Sequence, residues 1–131
     1  MYQTKEQFDQ LITGVIGCAI EVHRELGPGL MESVYEVCFI EELVREGFNV
    51  KRQVVLPVHY KGVQLKKEFV IDLLIEDEIV IELKSVELIL PVHEAQLVSY
   101  LKLANKKLGL LINFNVPLLK DGIRRRINGY F

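Results

Sequence analysis

The chain reads FVIDLLI at positions 69–75 and, after the three residues EDE, IVIELK at positions 79–84. Two short apolar runs that are rich in β-branched residues and separated by a short polar turn predict a β-hairpin. Pairing Ile75 with Ile79 gives this hairpin one entirely aliphatic face, because successive side chains alternate between faces. Its members are Ile71, Leu73 and Ile75, opposite Leu83, Ile81 and Ile79.

The other face of the hairpin carries charge. In the same register Asp72 opposes Glu82, and Val70 opposes Lys84. Opposed residues of an antiparallel pair hold their Cβ atoms about 4.5–5.5 Å apart, where like charges are destabilising. A divalent cation shared by the two carboxylates would explain the arrangement. So would a solvated face on which Lys84 neutralises one of them, and the spacing alone leaves both interpretations open.

Length and composition indicate one globular domain spanning residues 1–131. Half of the residues are hydrophobic and 26% are charged, which suffices for a packed core without disulfides or zinc. The formal net charge of −2 excludes an overall basic field of the kind that attracts nucleic acid. Cys18 and Cys38 lie among apolar residues, so we expect free thiols.

The N-terminal residues MYQTKEQ lack the basic start and apolar run of a signal peptide. No segment reaches the 18 apolar residues that suggest a membrane-spanning helix. We therefore expect a cytoplasmic protein without membrane contact.

Hydrophobic spacing predicts two N-terminal helices. Thr4 and Gln7 resemble a capping box, and apolar residues recur at helical spacing from there to Leu26. The sequence GPG at 27–29 ends this helix, and a second helix is expected over about 31–46.

The rest of the chain combines predicted strands with one long helix. The β region is expected to begin near Val50, with strands over about 54–60, 65–75, 79–84 and 108–114, a helix over about 91–104, and a short helix around 122–127. Pro57 favours an edge position for the first strand. A helix between the strands at 79 and 108 predicts a right-handed crossover if those strands are parallel. The predicted fold class is therefore α/β, with a mixed β-sheet flanked by helices.

The charged hairpin and the order of elements resemble the PD-(D/E)XK nuclease superfamily. Its signature is an Asp on one strand and Glu-x-Lys on the next, which Asp72 and the run Glu82-Leu83-Lys84 match. The resemblance implies a restriction-endonuclease-like α-β-β-β-α-β core over about residues 10–115, here with an extra N-terminal helix.

A second motif, GLMESVY at 29–35, is similar to the GxxExxY pattern that names a small single-domain family within that superfamily. The run EVHRELGPG at 21–29 is similar to that family as well, so the resemblance covers essentially the whole chain. It implies a nuclease that hydrolyses phosphodiester bonds of DNA or RNA with Mg²⁺ or Mn²⁺.

The resemblance also implies a catalytic set: Asp72, Glu82, Lys84 and Gln96. Asp72 and Glu82 would bind the metal with the backbone carbonyl of Leu83. Lys84 would orient the attacking water and stabilise charge on the phosphoryl oxygens, or it forms an ion pair with a neighbouring carboxylate. Gln96 would be the polar residue that many superfamily members contribute from the helix after the Glu-x-Lys strand, or it is a solvated helix residue.

Glu32 lies in the first turn of the second predicted helix, where an acid complements the helix dipole. The resemblance implies that it is a further metal ligand, so the predicted metal ligands are Glu32, Asp72 and Glu82. Tyr35 either hydrogen-bonds the site or packs. His23 and His93 are expected to be ordinary surface or core histidines.

Seven basic residues cluster late in the chain, at positions 102, 106, 107, 120 and 124–126. They form a solvated surface, or they contact phosphates if they converge beside the acidic site. The expected partner is nucleic acid, DNA or RNA, and fold-level analogy suggests a homodimer on duplex substrates. Two other functions stay open: a catalytically silent nuclease-fold module that binds nucleic acid or protein, and a metal-dependent phosphoesterase that acts on a small nucleotide.

Overall fold

Two helices, three strands, a third helix and two further strands follow one another along the chain, in a computed structural model that describes residues 4–130. The elements are α1 (Lys5–Leu26), α2 (Glu32–Arg45), β1 (Val50–Tyr60), β2 (Val63–Ile75), β3 (Ile79–Lys84), α3 (Pro91–Ala104), β4 (Leu108–Asn113), a 3₁₀-helix (Leu119–Gly122) and β5 (Ile123–Ile127). The five strands form one sheet in the order β1-β2-β3-β4-β5.

The start of α1 follows from its sequence. The backbone N–H of Gln7 donates to Thr4 Oγ1 (3.2 Å), and the backbone N–H of Thr4 donates to Gln7 Oε1 (3.0 Å), so the predicted capping box is confirmed. The helix ends at Gly27, whose φ of +70° suits glycine. After the Gly-Pro-Gly turn, α2 begins and ends within one residue of the predicted bounds.

The sheet is mixed, as predicted. β3 and β4 run parallel and are joined through α3, while the other three neighbouring pairs are antiparallel. β1 lies at the sheet edge, the position that Pro57 predicts. The ladder between β1 and β2 also shifts register between Pro57 and His59.

The sheet separates two hydrophobic cores. The larger packs α1 and α2 against one sheet face and contains residues such as Val15, Phe39, Ile81 and Phe114. The smaller includes Leu97 and Leu101 of α3 together with buried residues of β2, β3 and β4. Leu97 and Leu101 thus pack α3 on this face of the sheet.

The predicted short helix around 122–127 is wrong. Residues Ile123–Ile127 form β5, which pairs antiparallel with β4 from Ile123 opposite Ile112 to Ile127 opposite Leu108. The helical turn in this part of the chain precedes the strand, at Leu119–Gly122. β5 covers what would otherwise be an open edge of β4, so pairing across the sheet outweighs local preference.

Cys18 is buried and Cys38 partly buried, and both are free thiols as predicted. Burial raises the pKa of the Cys18 thiol to about 11. Between residues 4 and 130, none of the helices combines the length and apolarity needed to cross a bilayer.

Candidate metal and nuclease site

The site forms where the ladder between β2 and β3 stops. The predicted register is confirmed for three pairs, Ile75–Ile79, Leu74–Val80 and Leu73–Ile81. The next predicted pair, Asp72 with Glu82, is not a backbone pair. Carboxylate oxygens take the place of the backbone acceptors there, so the strands separate while the two acids stay together.

Two hydrogen bonds hold this arrangement. The backbone N–H of Asp72 donates to Glu82 Oε2 (3.0 Å), and the backbone N–H of Leu83 donates to Asp72 Oδ2 (2.8 Å). Each acid therefore accepts an N–H from the other strand at the level of the pair, and each carboxylate is fixed by the backbone rather than by a flexible side chain. Fixed carboxylates are what a metal site of defined geometry requires.

A change of face in β1 and β2 accompanies the site. Leu73 belongs to the larger core, but Ile71 and Val54, each one residue from the level of Asp72, belong to or pack on the smaller core. The β1–β2 pairing skips Gln53 and Asp72, which lie between the pairs Arg52–Leu73 and Val54–Ile71. Gln53 has φ of +49°, a left-handed conformation that is unusual for this residue type in a strand. The prediction that Ile71 shares one aliphatic face with Leu73 is therefore wrong, because both strands switch faces at this level.

Of the acids at the site, Glu82 has the largest shift in pKa. Its side chain is 5% exposed, and burial together with the Asp72 carboxylate raises its pKa from 4.5 to about 8. A hydrogen bond from the protonated Glu82 carboxyl to Asp72 raises the pKa further, while the backbone N–H of Asp72 and the Lys84 ammonium act in the opposite direction. A proton shared by the two acids therefore relieves their repulsion near neutral pH.

Glu32 lies beside this pair in the first turn of α2. Partial burial and the Asp72 carboxylate raise the pKa of Glu32, and the Lys84 ammonium lowers it. The structure thus brings Glu32 into the electrostatic field of Asp72 and Lys84. Within residues 4–130, however, no three His, Cys, Asp or Glu side chains are gathered closely enough to hold a metal ion. The predicted third ligand approaches the acidic pair without completing a three-ligand cluster with it.

Tyr35 positions the start of α2. Its hydroxyl donates to the Gly27 carbonyl (2.5 Å) and accepts the backbone N–H of Leu30 (3.1 Å), and its ring stacks on Phe114 with centroids 4.5 Å apart. Of the two alternatives for Tyr35, the structure shows packing and support of the loop. Ser85, the residue after the Glu-x-Lys run, also donates its hydroxyl to the Leu30 carbonyl (2.6 Å). The loop that precedes Glu32 is therefore tied to both α2 and the end of β3.

Lys84 is partly buried at the end of β3, and its backbone carbonyl accepts the N–H of Phe114 (3.1 Å). Among the residues that the structure describes, its ammonium forms no ion pair within 4 Å. The alternative of a close ion pair with a carboxylate is therefore not observed. The ammonium still acts on Glu32 and Glu82 through its field.

Gln96 is exposed on α3 and donates from Nε2 to the Tyr100 hydroxyl (3.2 Å). Burial and the carboxylates of Glu82 and Asp72 raise the pKa of Tyr100. Tyr100, rather than Gln96, is thus the α3 residue whose pKa is changed by the charges of Asp72 and Glu82. Its i+4 spacing from Gln96 is the signal in the sequence that points to it.

A family model for the PD-(D/E)XK nuclease superfamily matches residues 9–126. The chain belongs to the PD-(D/E)XK nuclease superfamily. Its mixed sheet and α1 agree with the predicted restriction-endonuclease-like fold. Among solved structures, the crystal structure of SSO0001 is similar, with 25% identity and a TM-score of 0.51 over 76% of this chain. The match spans about half (51%) of the SSO0001 chain. A search of curated proteins finds no match.

Superfamily nucleases typically use divalent metals, and the acidic pair fits such an ion. Asp72 and Glu82 offer hard carboxylate oxygens, the donors that Mg²⁺ and Mn²⁺ prefer. Glu82 is buried next to a like charge, a combination that costs free energy unless a cation or a proton compensates it. In the structure a shared proton can fill that role, and a metal ion would compete with the proton for the same oxygens.

Asn113 is a buried polar residue that the sequence analysis does not single out. Its side-chain carbonyl accepts the backbone N–H of Val86 (3.0 Å), and its amide donates to the Val86 carbonyl (2.9 Å). It thereby holds the segment that leaves β3 after Lys84. In the sequence, the only sign of this role is that a polar amide ends the otherwise apolar run Leu108–Asn113.

His23, His93 and several of the late basic residues form contacts within the scaffold. His23 Nε2 lies 2.7 Å from the Val116 carbonyl, and His93 Nδ1 accepts the backbone N–H of Leu90 at the start of α3. Four of the seven late basic residues are engaged in ion pairs. They pair as Arg124 and Arg126 with Glu94, Arg125 with Asp9, and Lys106 with Asp77.

Proposed function

We propose that this protein is a metal-dependent nuclease of the GxxExxY type that hydrolyses phosphodiester bonds of DNA or RNA with Mg²⁺ or Mn²⁺. The observation that carries the proposal is the pairing of the buried Glu82 with the partly buried Asp72, on both of which a metal ion could bind, with the Lys84 ammonium acting on Glu82. A carboxylate buried beside a like charge is costly for stability, and metal binding would give the protein a use for the pair. The superfamily model supports the same chemistry.

The ion would be held by Asp72, Glu82 and the Leu83 carbonyl, with Glu32 completing the acidic surroundings. When bound, Mg²⁺ would supply Lewis-acid activation of the phosphodiester and of an attacking water. The Asp72 and Leu83 amides keep the two carboxylates oriented before any ligand arrives. That preorganisation lowers the cost of assembling the site during each reaction.

Lys84 would act directly on the reacting groups. Because its ammonium has no close carboxylate partner among the described residues, it can donate to the attacking water or to a non-bridging phosphoryl oxygen. Such charge stabilisation is worth most in a partly buried position like this one. Gln96 would act as a positioning residue, since it fixes the Tyr100 hydroxyl next to the acidic pair.

A cleavage assay tests the proposal. Single- and double-stranded DNA and RNA are incubated with Mg²⁺ or Mn²⁺ and with the wild type, Glu82→Ala or Lys84→Ala. We expect metal-dependent cleavage by the wild type and a loss of about 10²-fold or more in each variant. Lys102→Ala is the matched control, since Lys102 is an exposed lysine on α3, and it should keep full activity. Activity that survives both site substitutions would overturn these assignments.

A second candidate is a nuclease-fold module that binds nucleic acid without cutting it. It is favoured by one observation, that no three ligating side chains come together as a metal cluster in residues 4–130. Calorimetric titration with Mg²⁺ or Mn²⁺ separates the two candidates. Saturable binding that is lost in Asp72→Ala would count against the silent module, and absence of binding in the wild type would count against the nuclease.

A further inference from the structure

The hairpin of β1 and β2 extends well beyond the rest of the sheet. β3 pairs with β2 only at residues 73–75, whereas β1 pairs with β2 as far as Tyr60 opposite Val63. Every residue from 59 to 68 is exposed. We call residues 59–68 the arm. It is a two-stranded ribbon on which no helix or third strand packs, within the described part of the chain.

A two-stranded ribbon that packs against no other element is only marginally stable in water, unless a binding partner covers it. The arm nevertheless has a well-formed tip, in which Lys61 (φ +51°) and Gly62 (φ +79°) make the two-residue turn that suits a hairpin. It also exposes apolar side chains, with Tyr60 60% and Val63 58% accessible. Regular pairing combined with bare apolar groups is typical of a binding element.

The arm is also basic, since it carries Lys61, Lys66 and Lys67 against the single acid Glu68. From residue 47 to residue 67 the chain contains five Lys or Arg and no Asp or Glu. The whole chain has 16 basic and 18 acidic residues. Outside residues 47–67 there are therefore 11 basic and 18 acidic residues, which sum to −7, so positive charge is concentrated in this stretch. Lys51 and Arg52 pair with Asp77 and Glu36. The arm lysines Lys61, Lys66 and Lys67 form no ion pair with any residue that the structure describes.

The arm continues from the part of β1 and β2 that lies at the level of the acidic pair. β1 and β2 switch faces at the level of Gln53 and Asp72, and the side chain of Gln53 donates to Glu36 of α2 (3.4 Å). The arm begins at Glu68, four residues before Asp72 on β2, which at about 3.3 Å per residue is about 13 Å along the strand. Nine positions along β2 separate Asp72 from Val63, which at about 3.3 Å per residue is about 30 Å. This reach is close to one turn of B-DNA, about 34 Å.

We propose that the arm binds duplex DNA beside the phosphodiester that the site cleaves, an inference that rests on the proposed nuclease function. A two-stranded ribbon fits the major groove of B-DNA, which is about 12 Å wide. The major groove of A-form RNA is too narrow for side chains to read. In this arrangement the three arm lysines contact phosphates, and the exposed apolar residues face the groove.

The test uses the full chain with Lys61, Lys66 and Lys67 changed to Gln, which keeps the side chains long and polar and removes their charge. Binding to a 20-base-pair DNA duplex is measured by fluorescence anisotropy in EDTA over a range of salt concentrations. Three lost phosphate contacts should reduce the slope of log K against log salt by about 2.7, and weaken binding at 0.1 M salt by up to ~500-fold. A matched triple variant, K5Q/R24Q/K120Q, removes three exposed charges elsewhere and should bind like the wild type.

The outcomes separate the arm from the catalytic site. Loss of duplex binding in the arm variant, with continued metal-dependent cleavage of a 6-base-pair substrate too short to reach the whole arm, supports both proposals. Arm-dependent binding without any cleavage by the wild type supports the arm and contradicts the nuclease. An unchanged salt slope, or an effect confined to single strands or duplex RNA, overturns the arm proposal. So does a wild type that does not bind duplex DNA at all.

Discussion

Replacing Glu82 with Gln should stabilise the protein at alkaline pH in the absence of metal. The glutamine side chain retains an oxygen that can accept the Asp72 N–H, and its amide can donate to the Asp72 carboxylate as the protonated acid does. The substitution therefore mimics the protonated form permanently. It removes the cost of ionising a carboxyl that is 5% exposed and next to another acid.

The magnitude follows from the pKa of Glu82, which the fold raises from 4.5 to about 8. The folded state holds a proton that the unfolded chain releases, so stability is greatest below pH 4.5 and falls until the pH passes about 8. At about 1.36 kcal/mol per pKa unit, the difference is about 5 kcal/mol at most. The gain of the variant over the wild type should thus be near zero below about pH 5 and reach several kcal/mol at about pH 9.

Urea unfolding followed by circular dichroism, in EDTA at about pH 5, 7 and 9, measures this gain. Glu87→Gln is the matched control, because Glu87 is an exposed acid just after the same strand, and it should change stability by less than ~0.5 kcal/mol. Added Mg²⁺ should stabilise the wild type and not Glu82→Gln. A variant that is less stable than the wild type at alkaline pH, or a gain that does not vary with pH, would refute the argument that Glu82 is a costly buried acid.

Three further predictions concern the scaffold and the metal. Tyr35→Phe leaves the Gly27 carbonyl and an N–H of the same loop without their partner, so it should cost about 1–3 kcal/mol in urea unfolding. Gly122→Ala places Cβ 2.1 Å from the Asn113 carbonyl and should destabilise by about 1–3 kcal/mol or more, whereas Gly17→Ala, with free space around its Cβ, should be neutral or stabilising. The calorimetric Kd for Mg²⁺ should weaken about tenfold per pH unit below the Glu82 pKa of about 8, because the ion displaces one proton, and a Kd that does not vary with pH would contradict this.

The sequence is informative about the fold because its patterns are local. Capping at Thr4, helical spacing in α1 and the short turn between β2 and β3 each specify their element within a few residues. The IRRRI sequence of β5 does not identify it as a strand, because its pairing with β4 is set by tertiary contact and not by the local sequence. The parallel pairing of β3 with β4 follows from the position of α3 between them.

For the candidate site, the sequence predicts which acids meet but not how they meet. Strict alternation places Asp72 opposite Glu82, and the structure brings them together through side-chain to backbone hydrogen bonds in place of the ladder. No pattern in the sequence signals the left-handed Gln53 or the change of face that it accompanies. Tyr100 is visible only as a neighbour of Gln96, because its approach to the acids depends on how α3 packs on the sheet.

The irregularities of this structure argue for function because they coincide. The β2–β3 ladder stops, both strands of the β1–β2 hairpin change face and one non-glycine residue adopts a positive φ, all within a residue or two of the level of Asp72. Each departure costs stability, and sequences normally avoid combining them. An acidic pair that only served packing would be replaced by an apolar pair at a gain in stability. The cost is therefore explained if the protein needs two fixed oxygens at this point of the sheet, as a metal-dependent nuclease does.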